Sequence, residues 1–145
     1  MIYLETLSVF KSKNKKSDLE KFCNNHLAYL IDSGYDVSVK KHSGIYPLKS
    51  AHYSIEIFKK ENDTSFKWND IKYDFIPFLE ILIDNYEVSN KKGMRKKNIL
   101  DIEFQEKRIV GDTIQDYRDY YTKEEILSDK VRVDIDFFKL KLKVK

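Results

Sequence analysis

The segment from Val131 to Lys145 constrains the fold more than any other part of this chain. Val131, Val133, Ile135 and Phe137 share one side of an extended backbone, and Phe138, Leu140, Leu142 and Val144 share the other. Strand side chains alternate between faces, so a straight strand would send half of this apolar set into water. A β-bulge at Phe137–Phe138 returns both sets to one side. A straight strand of this length would also span roughly 50 Å, more than a small domain offers. A bend, or an end reaching past the domain, is therefore expected. Lys139, Lys141, Lys143 and Lys145 fill the remaining face, as on an edge strand protected from aggregation.

Two amphipathic helices supply a partner for such a sheet. Leu19, Phe22, Cys23, His26, Leu27, Leu30 and Ile31 recur at three-and-four spacing after Ser17-Asp18-Leu19-Glu20, which has the form of a capping box. Gly34 suits a left-handed helix end. Ile71, Phe75, Phe78, Leu79, Leu82 and Tyr86 form a second stripe, with Asn69 as N-cap, Trp68 able to staple onto Tyr73, and a kink expected at Pro77. Tyr35, Val37 and Val39, then Tyr53, Ile55 and Ile57, alternate with polar residues and predict two antiparallel strands around the Gly44–Pro47 loop. A further strand starts at Glu87–Ser89, and Leu100, Ile102 and Phe104 mark its return. Arg108 to Asp129 reads as irregular, tyrosine-rich and acidic, with a capping box at Thr122–Glu125 before a short helix.

These elements predict an α+β fold: an antiparallel sheet of about five strands with two main helices packed on one face. Residues 1–145 form one domain, with 1–16 a peripheral leader or short helix. Only 4 Gly and 2 Pro leave no flexible divider, and 41% hydrophobic residues suffice for a core. The lone Cys23 excludes a disulfide within the chain and a cysteine-based metal site. No apolar run is long enough to span a bilayer, so the expected location is the cytoplasm and no membrane partner is expected.

Catalytic signatures are sparse. His52-Tyr53-Ser54 matches one half of a two-histidine phosphoesterase motif, but His42-Ser43-Gly44 fails the spacing of the second half. Such an enzyme would need the His42 and His52 rings to face one phosphate, and rings lying far apart would exclude it. His26 reads as a buried core histidine, and Asp112, Asp116 and Asp119 as one solvated helical face rather than a metal site. No phosphate-cradling glycine loop is present. No cofactor is implied.

Binding surfaces are better marked. Tyr117, Arg118, Asp119, Tyr120 and Tyr121 combine residue types favoured at protein interfaces, whether as an exposed acidic loop or packed on the sheet. Lys91, Lys92, Arg95, Lys96 and Lys97 crowd one turn and, with the lysine face of the last strand, make nucleic acid the alternative partner. The net charge is only +3, and the basic residues are nearly all lysine, which reads bases less well than arginine.

The opening Met1-Ile2-Tyr3-Leu4-Glu5-Thr6-Leu7 to Phe10 resembles the leader of small tailed-phage proteins. Gly34 to Val39, Tyr53 to Ile57 and Phe66 to Lys72 follow in a similar order, so the resemblance covers about the first 85 residues. It implies a phage-encoded chain and no particular activity. The expectation is a non-catalytic protein that binds another protein: an inhibitor of a host defence or host enzyme, or a virion accessory protein. A homo-oligomer would form through the terminal strand.

Overall fold

The computed structural model describes residues 15–42, 52–61, 64–86, 90–92, 98–100, 102–133 and 136–144. Residues 1–14 of the leader, the Gly44–Pro47 loop, the strand start at Glu87–Ser89, and Arg95, Lys96 and Lys97 lie outside the described residues. The chain runs α1 (Lys15–His26), α2 (Ala28–Asp32), β1 (Tyr35–His42), β2 (His52–Lys59), β3 (Phe66–Lys67) and α3 (Trp68–Asn85). It continues through β4 (Asn90–Lys92), β5 (Asn98–Leu100), β6 (Ile102–Val110), β7 (Thr113–Tyr121), α4 (Lys123–Leu127), β8 (Asp136–Phe137) and β9 (Lys139–Val144).

Five strands form one antiparallel sheet in the order β1-β2-β9-β6-β7, and β3–β8 and β4–β5 pair separately. The fold is α+β as expected. Register builds the core in rows across the sheet: Ile57 faces Leu140, which faces Phe104, and Ile55 faces Leu142, which faces Ile102. Onto this face pack Leu19, Cys23, Leu27 and Leu30 from the first two helices and Ile71, Phe75, Phe78, Leu79 and Leu82 from α3. Each such burial stabilises the fold by about 1.5–3 kcal/mol before chain entropy is subtracted.

The first helix keeps its stripe but bends. Leu27 leaves helical geometry at φ −114°, ψ 20°, while its N–H still reaches the Cys23 carbonyl at 2.8 Å. His26 is exposed rather than a core residue. Helical geometry puts it at the stripe's margin, where its ring lies tilted against half-buried Phe22 at 4.4 Å. Ser17 already lies inside α1, so it does not open the helix. Gly34 does end the segment at φ +101°, its N–H bonding the Ile31 carbonyl at 3.2 Å.

In α3 the cap position belongs to Lys67, whose backbone N–H donates to Asp70 Oδ2 at 2.8 Å, not to Asn69. Trp68 turns inward against Phe75 and Phe104, and Tyr73, 79% exposed, is not its staple. The helix continues through Pro77 to Asn85.

The phase slip at Phe137–Phe138 is real. Phe138 interrupts the strand and donates its N–H to the Gln105 carbonyl at 3.0 Å. Phe137 before it and Leu140, Leu142 and Val144 after it are all buried. Val131 and Val133 are not strand residues, and Val133 is exposed. The terminal strand is also no edge: β9 lies between β2 and β6 and is hydrogen-bonded on both sides over Leu140–Leu142. Over Leu140–Leu142 both backbone edges of β9 are therefore taken within the chain.

Candidate functional site

The stretch read as an irregular tyrosine-rich loop is a β-hairpin. Val110 faces Thr113 across the two residues Gly111 and Asp112. Gly111 sits at φ +64° and Asp112 has no positive φ, the pattern of a type II′ turn, whose twist matches that of the flanking strands. The Gly-Asp pair between Ile109-Val110 and Thr113-Ile114 is the sequence signal for this hairpin.

The hairpin has two parts. Near its base β6 pairs with β9 over Ile102–Gln105, and there the hairpin belongs to the sheet. Beyond Gln105 the ladder to β9 ends and β6–β7 continues as a two-stranded arm. Near its tip Ile109 and Ile114 face each other on one side of the ribbon, 81% and 70% exposed. Below them Lys107 faces Asp116, and Gln105 faces Arg118.

This geometry splits the tyrosine cluster. Tyr117, Asp119 and Tyr121 point to the helix side of the sheet, and Arg118 and Tyr120 to the opposite side. Tyr121 is a core residue, buried edge-on against Phe104 at 5.2 Å, and burial pushes its phenol up. Tyr120 is held up by partial burial and by the carboxylate of Glu103. Asp119 carries a buried oxygen, Oδ2, with no hydrogen-bond partner among the described residues. Asp112, Asp116 and Asp119 occupy a turn and a strand, so they share no helical face.

The basic features look different in three dimensions. Lys91 and Lys92 lie in the short strand β4. Lys139, Lys141 and Lys143 stand on the outer face of a central strand, where Lys139 and Lys141 meet carboxylates and Lys143 faces Ser54. Glu56 joins Lys40 and Lys139, each at 3.0 Å, and both Glu56 and Glu103 face Lys141 across the ladder. The two carboxylates offset part of the positive charge that this face presents.

His42 and His52 are brought together rather than apart. They face each other on β1 and β2 with ring centroids at 4.9 Å and planes 19° from parallel. The rings present faces to each other, whereas work on one phosphate needs ring nitrogens converging on one point. Ser54 Oγ and His42 Nε2 are buried without hydrogen-bond partners among the described residues. No group of three His, Cys, Asp or Glu side chains among the described residues could hold a metal ion. No helix among them is long and apolar enough to cross a membrane.

Comparison with known protein families, curated proteins and solved structures finds no match to this chain.

Proposed function

We propose that the chain is a non-catalytic protein-binding protein that engages its partner with the β6–β7 arm. One observation carries this reading: the exposed Ile109–Ile114 pair near the tip of a ribbon that has left the sheet. Isoleucines 70–81% exposed and side by side serve the fold little, because burial is what makes such side chains stabilising. A protein with an apolar recess fits them, and Lys107, Asp112 and Asp116 nearby provide both signs of charge for a polar rim. The resemblance of the first 85 or so residues to tailed-phage proteins makes a host defence protein, a host enzyme or a virion component the class of partner.

The test is a photoreactive residue placed at position 109 and, as control, at exposed position 29, in lysate of a host cell. The reading expects an adduct to one protein other than this chain from position 109 only, lost when Ile114→Lys is added. Equal labelling from both positions, or an adduct indifferent to Ile114→Lys, overturns it.

A further inference from the structure

We infer that a second copy of this chain pairs along β7, antiparallel and centred on Tyr117, to form a two-fold dimer with one continuous ten-stranded sheet. Among the described residues β7 ends the sheet order, so its outer backbone edge faces no further strand of that sheet. Most of its residues are exposed: Thr113 to Asp116, Arg118 and Tyr120. Chain connectivity holds β5 near the Tyr121 end, since Leu100 lies two residues before Ile102, the partner of Tyr121.

Two features select the register. The first is backbone pattern. In a two-residue hairpin the flanking pair, here Val110 and Thr113, is hydrogen-bonded, so Thr113, Gln115, Tyr117, Asp119 and Tyr121 direct their N–H and C=O groups toward β6. Ile114, Asp116, Arg118 and Tyr120 direct theirs to the open edge. A two-fold axis at Tyr117 puts Asp116 opposite Arg118 and Ile114 opposite Tyr120 of the other copy, which are the residues whose backbones can bond.

The second is charge. Centring on Tyr117 gives two Asp116–Arg118 pairs across the axis. Moving the centre to Asp116 sets two aspartates face to face, and moving it to Arg118 sets two arginines face to face; like charges directly opposite are unfavourable. The same register sets Ile114 beside Tyr120, covering apolar surface that is exposed in the single chain.

The purified protein alone tests this, so its outcome is separable from the search for a partner protein. Sedimentation velocity across a hundredfold concentration range is expected to show the mass doubling. Arg118→Asp and Asp116→Arg alone should each give monomers. An equimolar mixture of the two variants should restore a dimer, because each aspartate then meets an arginine. The double variant carrying both substitutions should dimerise by itself. Tyr117→Cys should form an inter-chain disulfide under mild oxidation, since a residue on the axis meets its own copy, whereas Gln115→Cys should not. A wild-type monomer at every concentration overturns the proposal. So does a dimer that survives both single reversals, or equal disulfide yield at 115 and 117.

Discussion

The indole N–H of Trp68 donates to Asp129 Oδ1 at 2.6 Å, tying the first turn of α3 to the turn that follows α4. The other carboxylate oxygen accepts from Lys72 Nζ at 2.8 Å. Asp129 holds this position at φ +56°, a left-handed conformation that Asp and Asn tolerate better than most residues. Its carboxyl is held below the ordinary range by Lys72 first and by the indole second. A lowered folded-state pKa means stability that is complete above about pH 4 and is lost as pH falls through the folded value. Asp129→Asn keeps the backbone tolerance and an acceptor but loses the charge. With the side chain 38% exposed, the expected loss is about 1 kcal/mol at pH 7. Urea unfolding followed by the emission of Trp68, the single tryptophan, should show a difference from wild type that shrinks on acidification.

Phe104 is the junction of the core. Its ring meets Trp68 at 5.6 Å, Tyr121 at 5.2 Å and Phe137 at 4.4 Å, so it joins α3, the arm's base and the terminal segment. Phe104→Ala removes that contact set from a site with no exposure and should cost about 3–5 kcal/mol, a large share of a small domain's stability. Denaturant titration checks this. A loss below about 1 kcal/mol would show that the site collapses around the deletion.

On the opposite face Glu56 is a buried carboxylate shared by two lysines. Burial alone would raise its pKa, but the bonds from Lys139 and Lys40 outweigh it and the net shift is downward. Glu56→Gln leaves Lys139 without its counter-charge and is expected to cost about 2 kcal/mol at neutral pH. The cost should fade as pH drops through the folded pKa, where the wild type loses the same charge. Lys40→Ala should cost under about 0.5 kcal/mol, because that lysine is 59% exposed. Thermal melts of the three proteins between pH 3 and 7 decide the matter.

The outcome at particular residues shows which local signals carry. Stripes such as Leu19, Cys23, Leu27 and Leu30 are legible because burying one side of a helix imposes a period that few alternatives share. The slip at Phe137–Phe138 is legible for the same reason in a strand. The place of β9 in the sheet is not, because strand order depends on long-range pairing with β2 and β6, and lysines on one face suit a central strand as well as an edge. The arm beyond Gln105 is hidden by its own exposure. A ribbon with little to bury lacks the alternation that marks a half-buried strand, and only the Gly111-Asp112 turn betrays it. His26 shows the limit of stripe reasoning, since a residue at the margin can face either way.

Cys23 should report on the opening of the whole fold. Its thiol is buried on the inner side of α1, and burial first, with the charge of Glu20 second, pushes its pKa from 9.0 up to about 12. Thiolate is the reactive form, so three units imply labelling roughly a thousandfold slower at pH 8 from ionisation alone, before any steric protection. Iodoacetamide should therefore modify the native protein only through unfolding. The rate should rise in parallel with the unfolding equilibrium across the Asp129→Asn, Glu56→Gln and Phe104→Ala variants. Fast labelling in native buffer, unchanged across that series, would place the thiol at the surface and contradict the packing of α1 on the sheet.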